Sequence, residues 1–116
     1  MNLSEGIGRF NDGYFFEAHE AWEKEWRNAG DSREKHFLQG MIMIAAALYH
    51  YLKKESAGTA KLLDKGLELL TASGDADIPI EKEEFLRAVH SLREEFKAGK
   101  NLVPADFPKV RERRQT

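Results

Sequence analysis

The residues of this sequence best suited to chemistry are His19 and Glu23, in the stretch "EAHEAWEKEW" at positions 17–26. They are four residues apart, so a helix places both side chains on one face. An imidazole beside a carboxylate can bind a metal ion together with it, or serve as a general base that the acid orients. Either role requires that the pair lies in a site rather than on a solvated surface.

A helical projection of about 100° per residue places His19 on the aromatic side of this stretch. Glu23 and four aromatic residues fall within about 60° of His19, while Glu20 and Arg27 fall at the margin of the same face. The aromatic residues are Phe15, Phe16, Trp22 and Trp26. The other two glutamates of the stretch fall on a solvated face. Because an aromatic face packs against the core, where an unpaired carboxylate is costly, we expect His19 and Glu23 to belong to a polar network or a functional site.

The third predicted helix offers partners for this pair. If the second and third helices form a hairpin closed by "NAGDS", Gln39 falls level with the space between His19 and Glu23. His50 shares that side of the third helix but lies about 16 Å farther along its axis, too far to join Gln39.

Two arginines complete the predicted cluster. Arg27 and Arg33 flank the turn between the helices, where either guanidinium could form a bidentate pair with Glu20 or Glu23. The sequence therefore predicts one polar pocket between the second and third helices. Its candidate residues are His19, Glu20, Glu23, Trp26, Arg27, Arg33 and Gln39.

Comparison with known catalytic motifs leaves the chemistry of this pocket open. The pattern "HEAWE" departs from the zinc-peptidase motif H-E-x-x-H, because Glu23 stands where the second histidine belongs. A metal-assisted hydrolase could still use His19 and Glu23 as ligands and Glu20 as base, with a third ligand from elsewhere. A di-iron bundle needs Glu-x-x-His motifs, and none of the histidines has an acidic residue three positions earlier. G-x-S-x-G and P-loop patterns are absent from the sequence as well.

Composition and periodicity predict the elements that must position the pocket. The chain has 116 residues, 41% hydrophobic and 33% charged, which suits one globular domain. Apolar residues recur at intervals of three and four, and there are only three prolines, which predicts an all-α fold. We expect a compact bundle of about five helices over residues 4–98, followed by an extended C-terminal tail at 99–116.

Turn signals set the expected helix limits. The first helix is expected from Ser4, as N-cap, to about residue 10, and the second from about 14 to 28. The third is capped by Ser32 or Asp31 and runs to about 54. "ESAGTAKLLDKGLELLTAS" and "IEKEEFLRAVHSLREEFKAG" form the last two, separated by the loop "GDADIP". Small residues in the fourth helix predict close contact with a neighbour. The apolar residues of the tail, Leu102, Val103, Phe107 and Val110, are expected to pack across the bundle.

Charge and composition also limit which classes of partner and which cellular locations are expected. A net charge of −2 argues against nucleic acid, and the basic segment "KVRERRQT" is expected to be a solvated tail. The absence of cysteine fits a reducing compartment, and the first ten residues lack the features of a signal peptide. The most apolar run, at 41–49, is about half of a membrane span. We expect a cytoplasmic protein that does not enter the membrane.

Two sequence blocks resemble a family of small helical prokaryotic proteins known as domain of unknown function 309. The first is "FNDGYFFEAHEAWEKEWR" and the second begins "REKHFLQG", and the likeness extends over about residues 7–72. The matching positions are Phe10, Gly13, Glu17, His19, Glu20, Trp22, Glu23, Trp26, Arg27, Arg33, Leu38, Gln39 and Gly40. The resemblance implies an all-helical bundle with these residues between its second and third helices, and it implies no activity. It also leads us to expect that segments which longer relatives carry after the fifth helix are absent.

These observations favour a non-catalytic binding or interaction domain with a polar pocket around His19 and Glu23. Its ligand is an unknown small molecule or protein, and no cofactor is identified. One alternative is the metal-assisted hydrolase, and another is a purely structural polar network in a homo-oligomeric helical module. The sequence does not decide whether the protein is an enzyme.

Overall fold

The computed structural model describes residues 2–74 and 78–113, and these form five α-helices joined by short connections. The helices are α1 Ser4–Asn11, α2 Phe15–Asn28, α3 Ser32–Leu52, α4 Ser56–Ala72 and α5 Lys82–Lys97, and a 3₁₀ turn follows at Pro104–Asp106. The predicted all-α bundle is therefore confirmed. Part of the predicted loop "GDADIP" (75–77) and the end of the predicted basic tail (114–116) lie outside the described residues.

Helix α3 is the centre of the bundle, because it packs against α2 on one side and α4 on the other. Its sequence is apolar nearly all round, as a helix with neighbours on both sides requires. Phe37, Met41, Ile44 and Leu48 are fully buried in it. Helix α1 packs on α2, and α5 packs on α4.

Glycines allow α3 and α4 to approach closely. A Cβ atom added to Gly66 would lie 2.5 Å from Ile44 Cδ1 and 3.2 Å from the Gly40 carbonyl oxygen. One added to Gly40 would lie 2.8 Å from Leu70 Cγ. The close contact predicted from the small residues of the fourth helix thus involves glycine at both crossing positions.

An aromatic cluster joins α1, α2 and α5. The ring of Phe10 lies with its centroid 5.1 Å from Phe15, 5.6 Å from Trp22 and 5.8 Å from Phe85. Trp22 is fully buried, and its indole Nε1–H donates to the Leu3 carbonyl at 3.4 Å. This cluster fixes which side of α2 faces the core.

Two predicted helix caps have different outcomes. Asp31 caps α3, since its Oδ1 accepts hydrogen bonds from the backbone N–H groups of Arg33 (2.7 Å) and Glu34 (3.4 Å). The prediction that Ser4 caps α1 is wrong, because Ser4 is the first helical residue. Its backbone N–H donates to Asn2 Oδ1 at 3.2 Å instead.

The segment after α5, residues 99–113, lies across the bundle and is called here the C-terminal strap. Leu102, Phe107 and Val110 are buried as predicted, whereas Val103 is 47% exposed, so its predicted packing is wrong. Polar contacts hold the strap at both ends. Tyr51 Oη accepts from the Leu102 N–H at 2.7 Å, and the Asn11 amide bonds both backbone groups of Val110 at 2.9 and 2.8 Å. A single antiparallel bridge pairs Ile80 with Glu112.

The length and hydropathy of the helices show whether any of them could cross a membrane. In the part of the chain that the structure describes, no helix combines the length and the apolar character needed to cross a membrane.

Candidate functional site

The core-facing side of α2 differs from the predicted one. Phe15, Ala18 and Trp22 are buried, whereas Phe16 is 43% exposed and His19 is half-buried. The projection placed Phe16 on the core face, and that assignment is wrong. The reason is that α1 packs against α2 through Phe10, which contacts Phe15 and Trp22, so that the core direction lies about 70° away from His19 on the helical wheel.

This rotation leaves His19 and Glu23 at the edge of the core. His19 Nε2 lies 2.5 Å from Glu23 Oε1, and the two side chains are 27% and 39% exposed. The carboxylate is therefore placed to accept a hydrogen bond from Nε2–H, and it keeps access to solvent. The severe burial cost expected for Glu23 does not arise.

Two buried nitrogen atoms at or beside the His19–Glu23 contact have no hydrogen-bond partner among the described residues. His19 Nδ1 and Trp26 Nε1 are both buried and make no hydrogen bond within the described residues. Indole Nε1–H can only donate, whereas Nδ1 accepts when the imidazole is neutral and donates when it is protonated. Leaving a buried polar group unpaired costs about 1–3 kcal/mol, so two such atoms in one place are a distinctive feature.

His19 lines three adjoining recesses. Two of them lie between α2 and α3, and we call these two together the α2–α3 groove. The first has a volume of about 260 Å³ and is lined by His19, Glu23, Trp26, Gln39, Ile42, Met43 and Ala46. The second, of about 160 Å³, is lined by Phe16, His19, Ala46, Tyr49 and His50. The third, of about 240 Å³, lies on the outer side of α2 and is lined by Phe16, His19, Glu20, Glu23, Lys24 and Arg27.

The hairpin register predicted from the short turn places Gln39 beside His19 and Glu23, and all three line the first recess. His50 lines the second recess and not the first. It nevertheless shares a recess with His19, which the register argument did not foresee. The rings of Phe16 and Tyr49 lie between the two histidines, with their centroids 5.4 Å apart.

The predicted arginine pairs are absent. Arg33 Nε lies 3.8 Å from Asp31 Oδ1, and no ion pair joins it to Glu20 or Glu23. Arg33 lines none of the recesses of the groove. Arg27 lines the outer recess but has no carboxylate partner among residues 2–74 and 78–113. Arg33 instead lies toward Asp31, the cap residue of its own helix.

Several residues that the sequence reasoning missed form the ends of the groove. Lys35 Nζ lies 4.6 Å from the centroid of the Trp26 ring, and Lys53 Nζ lies 5.0 Å from that of Tyr49. The neighbouring Tyr49 hydroxyl raises the pKa of the Lys53 ammonium group. At the same end His50 Nδ1 lies 3.2 Å from Glu55 Oε1. The stripe of Gln39, Met43, Ala46 and His50 in the sequence was the available signal for this face of α3.

The metal hypothesis depends on how many side chains could bind one metal ion. Among the described residues, no group of three or more His, Asp or Glu side chains lies close enough to hold one metal ion. Catalytic zinc sites use three protein ligands. Within the described residues His19 and Glu23 would therefore supply only two ligands, and the third ligand of the metal hypothesis is unassigned.

Fold and groove together define a class of protein: an all-helical bundle whose second and third helices leave an open, partly polar groove between them. Residues 3–62 match the family described as Domain of unknown function (DUF309), and the chain belongs to that family. The matched region contains α1, α2, α3 and the beginning of α4, and so the whole α2–α3 groove. This confirms the resemblance inferred from the two sequence blocks.

The chain is also similar to the uncharacterized protein YpuF of Bacillus subtilis (strain 168). The two are 29% identical over 84 residues, which cover 71% of this chain and 48% of YpuF. The chain thus spans about half the length of this curated relative. As their names state, neither the family nor the relative has an assigned function.

Proposed function

We propose that this protein is a non-catalytic interaction module, which binds part of another protein in the α2–α3 groove. The observation that carries the proposal is the pair of buried atoms without partners, His19 Nδ1 and Trp26 Nε1, at the edge of the groove. Unpaired buried polar groups oppose folding, and sequences retain them mainly where a function requires them. A bound partner can supply the missing hydrogen bonds.

The shape of the groove supports a protein partner over a small molecule. Small-molecule sites enclose their ligand in about 300–1,000 Å³, whereas each of these adjoining recesses holds about 160–260 Å³. Their floor includes Ile42, Met43 and Ala46, and the rim carries the exposed ring of Phe16. A row of shallow apolar recesses suits successive side chains of another polypeptide.

The lining residues favour binding over catalysis. No Ser, Thr or Cys side chain lines the three recesses, so a nucleophile of those types is missing from the groove. The metal-assisted hydrolase with His19 and Glu23 as ligands remains a prediction, because its third ligand is unassigned. Elemental analysis after incubation with zinc, manganese or iron tests it, and one bound metal per chain would favour the hydrolase over our proposal.

The test of the proposed function uses an apolar probe, the dye anilinonaphthalene sulfonate, in an NMR titration of the labelled protein. We expect amide shifts confined to residues around His19, Trp26, Ala46 and Tyr49. Ala46→Arg, which fills both groove recesses on the α3 side, should abolish these shifts.

The matched control is Ala57→Arg, an equal change at an exposed position of α4 that lines none of these recesses. It should leave the titration unchanged, and thermal melting should show that both variants are folded. Shifts that map to another surface, or shifts that persist in a folded Ala46→Arg variant, would contradict the proposal.

The cytoplasmic location expected from the cysteine-free composition is a further part of the proposal. Fractionation of the producing cell tests it.

A further inference from the structure

We propose that the partner presents an amphipathic helix with carboxylates at one end, and that this end lies against Trp26, Arg27 and Lys35. The inference rests on the proposed function and specifies the chemistry of the partner. Three features of the groove support it: the spacing of the recesses, the distribution of charge along the rim, and the unpaired indole N–H.

The spacing of the recesses matches a helix. The two recesses on the α3 side share Ala46, and together they extend from Gln39 to His50. At 1.5 Å per residue this distance is about 16 Å along α3, or about three helical turns. A docked helix places apolar side chains at i, i+3 or i+4, and i+7 over such a distance, so two or three of them can enter the recesses.

The charges along the groove favour an acidic partner. Two carboxylates along the groove lie beside imidazoles, Glu23 beside His19 and Glu55 beside His50. The cations near the turn are not held in this way, because Arg27 and Lys35 form no ion pair within the described part of the chain. A carboxylate of a partner helix at this end would gain two charge-assisted hydrogen bonds without displacing an existing pair.

The unpaired indole nitrogen lies at the same end of the groove. Trp26 Nε1–H needs an acceptor, and the Lys35 ammonium that covers the ring can only donate. A carboxylate that binds Lys35 draws this side chain off the ring and brings an acceptor to the edge of the indole. The same carboxylate then pairs with the Lys35 ammonium and accepts a hydrogen bond from the Trp26 indole N–H.

A second copy of this chain fits the groove less well. Lys35 and Lys53 lie at opposite ends of α3, so antiparallel pairing of two α3 helices would bring like charges together. Helix α5, whose first turn carries Glu83 and Glu84, already buries Phe85, Val89 and Leu92 in its own core. We therefore assign the groove to a different protein.

The experiment uses two designed peptides and isothermal titration calorimetry. Both carry leucines at i, i+4 and i+7 of a stapled helix, and one terminal turn bears glutamates in the first peptide and lysines in the second. We expect the glutamate peptide to bind roughly tenfold more tightly than the lysine peptide at low salt, and to lose this advantage as the salt concentration rises. Equal affinities would overturn the proposed charge preference.

Charge reversal locates the binding. Arg27→Glu combined with Lys35→Glu should weaken the glutamate peptide roughly tenfold and strengthen the lysine peptide. The control pair Lys61→Glu and Arg87→Glu makes the same change of net charge at exposed positions of α4 and α5 and should have little effect. An equal loss in both double variants would show attraction by net charge alone and would overturn the assignment to this end of the groove.

The outcomes separate this inference from the proposed function. If the dye binds in the groove but neither peptide does, the acidic helix is the wrong partner while the groove remains a binding site. If neither dye nor peptide binds, both proposals fail. A dimer in light scattering that dissociates on Ala46→Arg would instead identify a second copy as the occupant and overturn the assignment to a different protein.

Discussion

Two surfaces of this bundle differ in whether their polar groups are hydrogen-bonded. Where the C-terminal strap crosses α1 and α3, polar groups meet in pairs, such as Asn11 with the backbone of Val110 and Tyr51 with that of Leu102. Along the α2–α3 groove, His19 Nδ1 and Trp26 Nε1 are buried without partners. The difference teaches that the strap serves the stability of the fold, whereas the groove retains unfavourable groups that a stable fold does not need.

The strongest way to break this comparison is to remove an apolar anchor of the strap. Phe107 is 9% exposed, and its ring centroid lies 5.5 Å from that of Phe15 and 6.2 Å from that of Tyr51. Phe107→Ala should lower the free energy of unfolding by about 3 kcal/mol, measured by urea denaturation, because it leaves a cavity. Phe16→Ala, at the exposed rim of the groove, should cost less than about 1 kcal/mol. Similar losses in both variants would mean that the two surfaces do not differ in this respect.

A polar anchor of the strap should have the next largest effect. Asn11→Ala removes one hydrogen bond to the Val110 carbonyl and one from its N–H, and leaves both backbone groups without these partners. We expect a loss of about 2 kcal/mol in the free energy of unfolding. The control is Asn28→Ala, since the Asn28 amide bonds the Lys24 carbonyl at the exposed end of its own helix. Equal losses from the two asparagines would contradict the proposed anchoring.

On the groove side the expected sign is reversed. Trp26→Phe removes an indole N–H that has no acceptor, so the free energy of unfolding should stay constant or rise by up to about 1 kcal/mol. Trp22→Phe makes the same chemical change at a fully buried indole that donates to Leu3, and should lower stability by about 1–2 kcal/mol. Thermal and urea unfolding of both variants give the comparison. A larger loss at Trp26 than at Trp22 would show that the indole N–H of Trp26 is satisfied.

The smallest expected effect is the response of the strap to acid. The Val103 backbone N–H and the Lys100 ammonium hold the pKa of Asp106 below its usual value. A carboxylate with a lowered pKa stabilises the folded state above its unfolded pKa, near pH 4, and loses this contribution as the pH falls through the folded value. Hydrogen exchange at the Val103 amide, expressed relative to the intrinsic rate of an unprotected amide at the same pH, should therefore accelerate below about pH 4. In Asp106→Asn this acceleration should be absent, and an unchanged profile would contradict the assignment.

Much of the fold could be predicted from the sequence because helix formation depends on local patterns. The intervals between apolar residues predicted five helices, and the capping residues Ser32 or Asp31 predicted the start of α3, where Asp31 is the cap. The close approach of α3 and α4 was visible in the small residues of α4, although Gly40 on the other helix was not recognised as its counterpart.

The candidate site could be predicted only in part. The spacing of His19 and Glu23 predicted their contact, and the short turn predicted that Gln39 lies beside them. Arg33 was assigned to the site because it is close in sequence, yet it lies toward Asp31. Lys35 lies over an aromatic ring of another helix, and Lys53 lies over a ring one turn earlier along the chain. Sequence intervals alone do not show which of the possible ring contacts each lysine makes.

By itself the sequence determined the helices, the pairing of His19 with Glu23 and the family of the protein, because all three follow from residue types at fixed intervals along one chain. Only the tertiary structure decided which side of α2 is buried. Helix α1 covers the side that carries Phe15 and Trp22, and this packing exposes Phe16 and leaves His19 at the edge of an open groove. The physical reason is that a helical wheel fixes the angles between side chains, whereas the direction of the core depends on the neighbours that pack around the helix.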